Sequence, residues 1–541
     1  MPIQHLRNLG KVGVIADGDP YNLPPEAFTA AINVRFRNGK ITGGPVFRHV
    51  ATLGKPDPRF AFASNPVQGL DLLFIGYKNG DVSLFSGSAE TDYTASDWAP
   101  SEVEATWTNT TLAGVTYVNR SDRTPWYLRT QDTEFKDLAT AGWDASWSAR
   151  LLRACSGALV ALNVTKGATA YPTMVKTSSI PQSGTVPASW DITQPNTLAV
   201  ENILAEMQGP INDACPLGND LIIYGFKEAW KMQANGQTSV YNFVKLPFQK
   251  GALGSNCTVE LDGKNVVFGP DDIWMHDGTS SKSIINGRNR DFVFGSLNLA
   301  YADRCFVQLN PRQTEIIFGY VSGDPYTAFN STLTNGCNRQ AVWNYVDDTW
   351  TFDDTPDVFA ATEANLSTAV TYETITATYD TVGGSYQDQE DGYKRTSVYV
   401  GQANDNYSLS TSLYAFDLYG QGSTVSHPVD INATSPRFIE RTGIDLDELS
   451  QDLKTYKVLA SIYPQARLGA GAANLMIDAG ASDGFNQQAT YKGYQPYNGA
   501  DLYKCDFNAA GRWLSYRIQF ADYKELTITG LDFDLKATGR R

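Results

Sequence analysis

The chain has 541 residues, of which 42% are hydrophobic and 12% aromatic, and its formal net charge at pH 7 is −15. This length exceeds one ordinary hydrophobic core, so we expect more than one domain. The acidic balance argues against a DNA-gripping protein, which usually carries a basic stripe. No apolar run reaches the roughly 20 residues of a membrane-spanning helix. Residues 1–19 lack a secretory signal, so we expect a chain that is made and used without Sec export.

Residues 1–54 are predicted to form an N-terminal segment that contains a hairpin. Pro24-Pro25-Glu26 favours a short helix that ends near Ala31, because proline is tolerated in the first helical turn. Asn38-Gly39 separates two apolar runs, and this dipeptide suits a tight two-residue turn between strands. The segment is therefore predicted to begin with a stretch rich in proline and glycine, followed by a short helix and then by a pair of strands.

The clearest structural unit of the sequence runs from Cys257 to Ile285. It contains four short apolar runs, each about as long as a strand. Asp262-Gly263 and Asp277-Gly278 separate two pairs of these runs, and both dipeptides favour tight hairpins because glycine tolerates positive φ. We therefore expect a small antiparallel sheet of four strands.

A copy of this unit lies immediately upstream, in Asn219–Val244. Gly225 precedes Trp230 by five positions, as Gly269 precedes Trp274, and the two glycines are 44 residues apart. This spacing falls in the range of about 40–50 residues that is typical of one blade of a β-propeller. The alternative is two unrelated β-meanders in a sandwich.

Similar short runs with turn residues between them recur from about residue 59 onwards. Counting them gives about six units, plus or minus one, within residues 55–355. The predicted fold class is therefore all-β, namely a β-propeller of about six blades with an additional mostly-β domain.

Residues 356–541 are predicted to form a C-terminal β-rich domain that packs on the propeller, because no low-complexity linker separates the two parts. Ser515–Phe520 and Leu531–Leu535 alternate polar and apolar residues, as half-buried strands do. One short helix is predicted over Asp445–Lys454. The acidic loop at 387–392 either holds calcium through clustered oxygens or is an ordinary solvated loop.

Catalytic, cofactor-binding and metal-binding residues are not predicted anywhere in the chain. The six cysteines are far apart and lack a CxxC pair, so we expect reduced, mostly buried thiols. Of the four histidines, His276 lies in a strand and His427 in a loop, and neither accompanies a nucleophile motif. Glycosidases need two carboxylates across a cleft, and nothing in the sequence pairs any two acids. We therefore expect a binding or assembly protein that is not an enzyme and has no cofactor.

Short phrases spread along most of the chain carry a family resemblance. They are Met1-Pro2-Ile3-Gln4, Asn33-Val34 through Gly44-Pro45-Val46-Phe47, Leu159-Val160-Ala161-Leu162 to Tyr171-Pro172, Pro187-Ala188-Ser189-Trp190-Asp191, Leu221-Ile222-Ile223-Tyr224 to Trp230, Val267-Phe268-Gly269 to Trp274, Glu315-Ile316-Ile317-Phe318-Gly319-Tyr320, Ala341-Val342-Trp343-Asn344-Tyr345 to Trp350, and Gly511-Arg512 through Gly530 to Gly539-Arg540-Arg541. Together they resemble the tail nozzle proteins of short-tailed bacteriophages, also called tail tubular protein B or tail hub proteins.

The resemblance implies a structural protein of the virion tail that is assembled in the host cytoplasm. Copies of the chain, expected to number six as a homohexamer, would form a ring below the portal and the head-to-tail adaptor protein. The ring would extend the channel for DNA ejection, and tail fibres or spikes would attach nearby. The family's fold includes a propeller, which agrees with the repeat.

The acidic charge suggests how genomic DNA would pass through such a ring without binding. Basic walls would bind phosphates and release counterions, whereas acidic walls would repel the strand. Acids at 379–391 or at Asp347-Asp348 are candidates for lining the channel, although net charge also serves ordinary solubility. Two other functions stay open, a receptor-binding propeller module of the tail and a carbohydrate-active propeller enzyme.

Overall fold

The fold consists mainly of short antiparallel sheets. The computed structural model describes residues 3–67, 70–87, 89–194, 197–235, 240–323, 336–366, 395–405, 408–418, 437–445, 456–469, 475–484, 487–499, 502–520 and 526–539. No helix in these ranges is long and apolar enough to cross a membrane.

The N-terminal segment is built from short strands. They are β1 (Gln4–Arg7), β2 (Gly13–Val14), β3 (Ala27–Phe28), β4 (Ala30–Ile32), β5 (Val34–Arg37), β6 (Lys40–Gly43) and β7 (Val46–Thr52). The predicted hairpin is confirmed, since β5 pairs with β6 and both Asn38 and Gly39 have positive φ. The predicted helix is wrong, because Ala27–Ile32 forms extended strands that pair with β2 and with Arg437–Ile444.

Five successive four-stranded antiparallel sheets follow, and we call them blades one to five. Blade one contains β8 (Pro58–Val67), β9 (Leu70–Tyr77), β10 (Val82–Ser86) and β11 (Ala89–Asp92). Blade two contains β12 (Trp107–Leu112), β13 (Val115–Arg120), β14 (Trp126–Leu128) and β15 (Lys136–Asp137). Blade three contains β16 (Trp147–Cys155), β17 (Ala158–Lys166), β18 (Thr169–Thr177) and β19 (Glu201–Ile203). Blade four contains β20 (Asp213–Leu217), β21 (Asp220–Tyr224), β22 (Ala229–Ala234) and β23 (Tyr241–Lys245). Blade five contains β24 (Thr258–Leu261), β25 (Lys264–Phe268), β26 (Ile273–His276) and β27 (Ser281–Ser283).

Blades four and five are the two copies that the sequence repeat predicts. Their first hairpins pair β20 with β21 and β24 with β25. Asp262 and Gly263 join β24 to β25 with φ values of +47° and +72°, as a two-residue turn requires. Tyr224, on the second strand of blade four, and Trp274, on the third strand of blade five, are both buried, and their rings meet edge to face. The repeated aromatic residues therefore pack one blade against the next.

A sixth blade follows a helical connection. The connection contains α1 (Arg290–Ser296) and the 3₁₀ turn Leu299–Arg304. Blade six comprises β28 (Phe306–Asn310), β29 (Glu315–Tyr320), β30 (Cys337–Asn344) and the first part of β31 (Thr349–Asn365).

A seventh four-stranded unit closes the ring, and its strands come from the segment before blade one and from the segment that follows blade six. The last part of β31 pairs with β32 (Arg395–Asp405), which pairs with β33 (Ser408–Leu418), and β33 pairs with β7. This blade seven lies between blade six and blade one. Ala360, Ala364 and Val398 pack into the core of blade one, whereas Tyr399 and Phe416 pack with residues of blade six.

Within the described part of the chain the propeller therefore has seven blades, in line with the expected six plus or minus one. Its ring is sealed because the N-terminal strand β7 is the outermost strand of the final blade. The predicted boundaries at 54/55 and 355/356 do not coincide with sheet boundaries, since β7 precedes the first and β31 crosses the second.

The remaining strands form C-terminal sheets. They are β34 (Arg437–Ile444), β35 (Tyr456–Leu468), β36 (Leu475–Ser482), β37 (Thr490–Tyr491), β38 (Gln495–Tyr497), β39 (Cys505–Gly511), β40 (Trp513–Phe520) and β41 (Leu526–Gly539). Strand β4 joins β31 to β34, so blade six continues into the sheet of β34, β40 and β36. A second sheet has the order β39-β35-β41-β6-β5, with β1 beside β41. The N-terminal segment thus contributes strands to both C-terminal sheets.

A buried ion cluster fastens the N-terminal hairpin to blade six. Arg35 donates from Nη1 to Asp353 Oδ1 at 2.8 Å and from Nη2 to Asp353 Oδ2 at 2.7 Å. Its Nε lies 2.9 Å from Glu315 Oε1, and Arg37 pairs with the same carboxylate. The side chains of Arg35, Asp353 and Glu315 are at most 2% exposed. Two cations therefore balance two anions inside the protein.

Candidate functional site

The centre of the propeller encloses a cavity of about 500 Å³. The first strands of blades one, two, three, five and six line it, together with the last part of β31 and the turn Leu299–Arg304. Ala61, Ala360 and Ala361 contribute small side chains to this wall. The volume lies in the range of about 300–1,000 Å³ that is typical of ligand pockets.

A charged cluster lies on the wall of this cavity. Arg59 Nη2 donates to Glu104 Oε1 at 3.1 Å, and Arg304 Nη2 lies 3.9 Å from the same oxygen. The Arg59 guanidinium stacks 4.0 Å above the Phe359 ring, and Arg304 lies 5.4 Å from that ring. Tyr301 contacts Arg304 from a second side, with its ring 4.9 Å away. The five residues come from three blades and the helical connection.

The electrostatics of the cluster follow from this arrangement. Burial raises the pKa of Glu104, but hydrogen bonds and charge from Arg59, with the charge of Arg304, more than offset this, so its pKa falls below the usual value. Burial lowers the pKa of Arg304; Glu104 raises it and Arg59 lowers it, and the balance remains below the usual value. Glu104 is thus held ionised at neutral pH, and Arg304 is a partly buried cation beside another cation.

Two further arginines lie on the first strand of blade three, and one of them, Arg153, lines the cavity. Arg153 Nη2 donates to Asp213 Oδ1 at 2.9 Å, and Asp213 is fully buried. Arg150 Nη2 donates to Asp303 Oδ1 at 2.7 Å. Asn256 Nδ2 donates to the Trp107 carbonyl oxygen at 2.9 Å and so connects blade five to blade two across the cavity. The wall is therefore held by ion pairs and hydrogen bonds between different blades.

A second compartment of about 430 Å³ adjoins this cavity. Val307, Ala361 and Thr362 belong to both compartments. In the second compartment, burial raises the pKa of Glu363, and Arg395 opposes this shift. The two compartments therefore share a stretch of wall, and arginines line both.

Of the acids predicted to line a DNA channel through the ring of subunits, Asp347 and Asp348 lie outside the cavity of the single propeller. Asp347 accepts a hydrogen bond from the Asn38 backbone, and Asp348 pairs with Arg288 at 2.7 Å. Both aspartates occupy the turn between β30 and β31 and do not line the central cavity. Residues 379–391, the calcium candidate at 387–392, His427 and the predicted helix beyond Asp445 lie outside the described residues.

His276 and the six cysteines, which were considered as candidates for chemistry from the sequence, have structural roles. His276 is 2% exposed; Tyr224 Oη lies 2.7 Å from its Nε2, and the Gly278 backbone N–H donates to Nδ1 at 3.1 Å. All six cysteines are free thiols in buried positions, as predicted. Among the described residues, no group of three or more His, Cys, Asp and Glu side chains could hold a metal ion.

Sequence reasoning did not single out the cavity cluster. Arg59, Glu104, Arg304 and Phe359 are separated by long stretches of chain and share no motif. The one indication in the sequence was the position of two of these residues. Arg59 and Glu104 lie at or just before the start of the first strands of their blades, where side chains approach the propeller axis.

Comparisons with known proteins give matches to solved structures alone. No protein-family model matches the sequence, and no curated protein matches it. The computationally designed Ika8 protein has a TM-score of 0.35 at 9% identity, covering 68% of this chain and 99% of its own. The WD40 beta propeller domain of Doa1 has a TM-score of 0.38 at 9% identity, covering 69% and 98%. A chain of the Mitotic Checkpoint Complex has a TM-score of 0.37 at 9% identity, covering 69% and 96%. These likenesses carry no functional argument.

Proposed function

We propose that this chain is a structural component of the virion tail of a short-tailed bacteriophage, where copies form a ring, or nozzle, that extends the DNA channel below the adaptor. The sequence phrases that resemble tail nozzle proteins supply the identity. The ring is proposed to be a homohexamer that supports fibres or spikes on its outer side.

The observation that best supports a structural role is the continuity of hydrogen-bonded sheet through the molecule. Blade six continues through β4 into the C-terminal sheet, and β5 and β6 join the other C-terminal sheet. The buried cluster of Arg35, Asp353 and Glu315 fixes this junction. A body built in this way resists hinge motion between its parts, as a force-bearing tail component requires.

The chemistry of the charged cluster around Glu104 favours binding over catalysis. A glycosidase needs a carboxylic acid whose raised pKa allows it to donate a proton. Glu104 has the opposite property, because two arginines hold its pKa down. Asp303 is paired with Arg150. The carbohydrate-active alternative therefore lacks a proton donor at this cluster.

In the proposed ring, DNA would pass along the ring axis between subunits. A propeller cavity of about 500 Å³ has the size of a small-ligand pocket and is far too small for a double helix. The net charge of −15 fits a conduit that repels phosphates. The acids that face such an axis would belong to surfaces outside the propeller cavity.

Cryo-electron microscopy of virions that carry this chain tests the proposal. We expect a closed ring of identical copies directly below the head-to-tail adaptor, and we expect the purified chain to bind the isolated portal–adaptor complex in several copies. Location at a fibre tip would instead support the receptor-binding alternative, and absence from purified particles would refute a virion role. Release of reducing sugar from host polysaccharide would support the enzyme.

A further inference from the structure

The turn that joins β27 to α1 contains Asn286-Gly287, a pair that can modify itself. In such a pair the backbone nitrogen of glycine attacks the asparagine Cγ, and glycine offers the least hindrance because it lacks a Cβ. A C–N bond forms, the backbone N–H proton leaves with the side-chain amide as ammonia, and a succinimide ring closes. Water then opens the ring at either carbonyl group and leaves aspartate or isoaspartate. Water is the only co-reactant, so the local structure sets the rate.

The reacting groups of Asn286 and Gly287 are free. Both residues are exposed. Among the described residues, the Asn286 side chain and the Gly287 backbone N–H have no hydrogen-bond partner. Gly287 has a φ of +73°, and outside its neighbours in the chain no atom lies within 4 Å of the position that a Cβ would take. The attacking nitrogen and its target are therefore both accessible.

The sequence has six Asn-Gly pairs, of which four lie within the described residues, and in two of these four the attacking nitrogen is occupied. Gly80 N–H donates to the Tyr77 carbonyl oxygen at 2.9 Å, and Gly499 N–H donates to that of Leu502 at 3.2 Å. The side chains are engaged as well, since Asn79 Oδ1 and Asn498 Oδ1 accept backbone hydrogen bonds at 3.1 and 2.9 Å. Each hydrogen bond that must break first should slow the attack about tenfold.

The remaining described pair, Asn38-Gly39, is exposed at Asn38 but braced on neighbouring segments. It forms the two-residue turn between β5 and β6, with positive φ at both residues. Asn38 N–H donates to Asp347 Oδ2 at 3.1 Å, and the Gly39 carbonyl oxygen accepts from Gly10 N–H at 3.0 Å. A turn that is held on both sides opens less often than one whose glycine has no partner.

The turn at Asn286 leads directly into the contact between the N-terminal segment and the propeller. The Arg288 carbonyl oxygen accepts from Asp17 N–H at 2.9 Å. Asn289 is fully buried, accepts from Ala16 N–H and donates to the Val14 carbonyl oxygen, both at 2.9 Å. The Asp17 carboxylate in turn accepts from the first two N–H groups of α1 at 2.8 and 2.9 Å. The position of residues 14–17 therefore depends on the backbone just after Asn286.

We propose that Asn286 deamidates spontaneously in the folded protein and that its isoaspartate product loosens residues 14–17 from the propeller. Isoaspartate inserts one extra methylene into the main chain between Ile285 and Gly287. The Ile285 carbonyl oxygen accepts from the N–H groups of Arg288 and Asn289 at 3.1 and 3.2 Å, so the longer chain displaces this turn and the contact that follows it. The aspartate product keeps the backbone and adds one charge at an exposed position.

The test is incubation of the full chain in mildly alkaline buffer made with heavy-oxygen water, followed by peptide mapping with mass spectrometry. The label marks each converted asparagine, and an isoaspartate methyltransferase measures the isoaspartate fraction. We expect Asn286 to convert about tenfold faster than Asn38, Asn79 or Asn498, which is the effect of one hydrogen bond or one restrained turn. In denaturant the four pairs should convert at similar rates, because the restraint then disappears.

Amide hydrogen exchange of residues 14–17 and of α1 measures the consequence. Exchange should become faster as isoaspartate accumulates at position 286. Asn286→Gln removes the reactive five-membered ring closure and should keep slow exchange throughout the incubation. Freshly purified Asn286→Asp adds the charge without the methylene and should also keep slow exchange, which separates the backbone effect from the charge.

The proposal is overturned by any of three results. The first is an Asn286 that stays intact, or that converts no faster than the other three pairs in the folded chain. The second is unchanged exchange of residues 14–17 once isoaspartate occupies position 286. The third is equally fast exchange in fresh Asn286→Asp. None of these results bears on whether the chain forms a ring on the virion, so the two proposals fail separately.

Discussion

Replacing Arg35 with methionine should loosen the N-terminal hairpin from blade six. The substitution removes one of two cations that balance Asp353 and Glu315, so the buried cluster acquires an uncompensated negative charge. Among the described residues, the donor that Asp353 keeps is Gln340 Nε2 at 3.0 Å. Loss of one partner from a buried ion pair costs about 3–5 kcal/mol, and the exposures of 2% for Arg35 and 1% for Asp353 place this pair in that class.

Amide hydrogen exchange is the appropriate assay, because it reports the local opening of β5 and β6 separately from unfolding of the whole chain. A local loss of about 3 kcal/mol raises exchange of the β5 and β6 amides by roughly 100-fold or more. Arg7→Met is the matched control: its pair with Asp532 involves a side chain that is 53% exposed and should contribute at most about 1 kcal/mol.

A double variant tests whether the uncompensated charge causes the loss of stability in Arg35→Met. Arg35→Met combined with Asp353→Leu leaves Arg37 opposite Glu315, so the cluster is neutral again, and most of the lost protection should return. Two results would refute the reasoning. In the first, the β5 and β6 amides of Arg35→Met exchange at rates within threefold of those of the unmodified chain. In the second, these amides exchange faster in the double variant than in the single variant.

Three more predictions concern the blades. Burial lowers the pKa of His276 from 6.5 to about 4, so the free energy of unfolding should fall by roughly 3 kcal/mol as pH drops from 6.5 to 4. In His276→Gln the free energy of unfolding should depend less on pH over this range. Identical pH dependence in the two proteins would contradict this role of His276. Gly251→Ala should destabilise blade four by about 1–3 kcal/mol, because a Cβ would lie 2.1 Å from the Gly225 carbonyl oxygen. Gly209→Ala is the control and should be tolerated, since the space around Gly209 is open. Equal urea unfolding midpoints for the two variants would disprove the clash. Burial raises the pKa of Cys215 to about 12, so its thiol should react with a disulfide reagent only on unfolding, and rapid labelling of the native protein would contradict its burial.

The sequence predicted those parts of the fold that local chemistry determines. Asn38-Gly39 and Asp262-Gly263 identified two-residue turns because both residues of each pair must accept positive φ. The repeat of Gly225 and Trp230 identified blade four. The helix expected near Pro24 failed because pairing of Ala27–Ile32 with distant strands overrode the local preference of proline for a helix start.

Blade seven and the cavity could not be predicted from local sequence patterns. Strand β7 pairs with β33 across almost the whole propeller, and no local turn signal specifies such a partner. The cavity cluster likewise depends on which blades meet at the axis, so Arg59 and Phe359 gain their relationship only when the ring closes. Spacing in a single sequence carries no information about either.

Ring closure through β7 also sets a time constraint during synthesis. Phe47 leaves the ribosome early, whereas its partner Phe416 follows only after nearly all other blades have been made. At about 5–20 residues per second, the nascent chain waits roughly 20–70 s before the two strands can meet. During that interval the unpaired strand edges of the incomplete propeller are exposed to other chains, and occupation of those edges by a chaperone would favour correct closure.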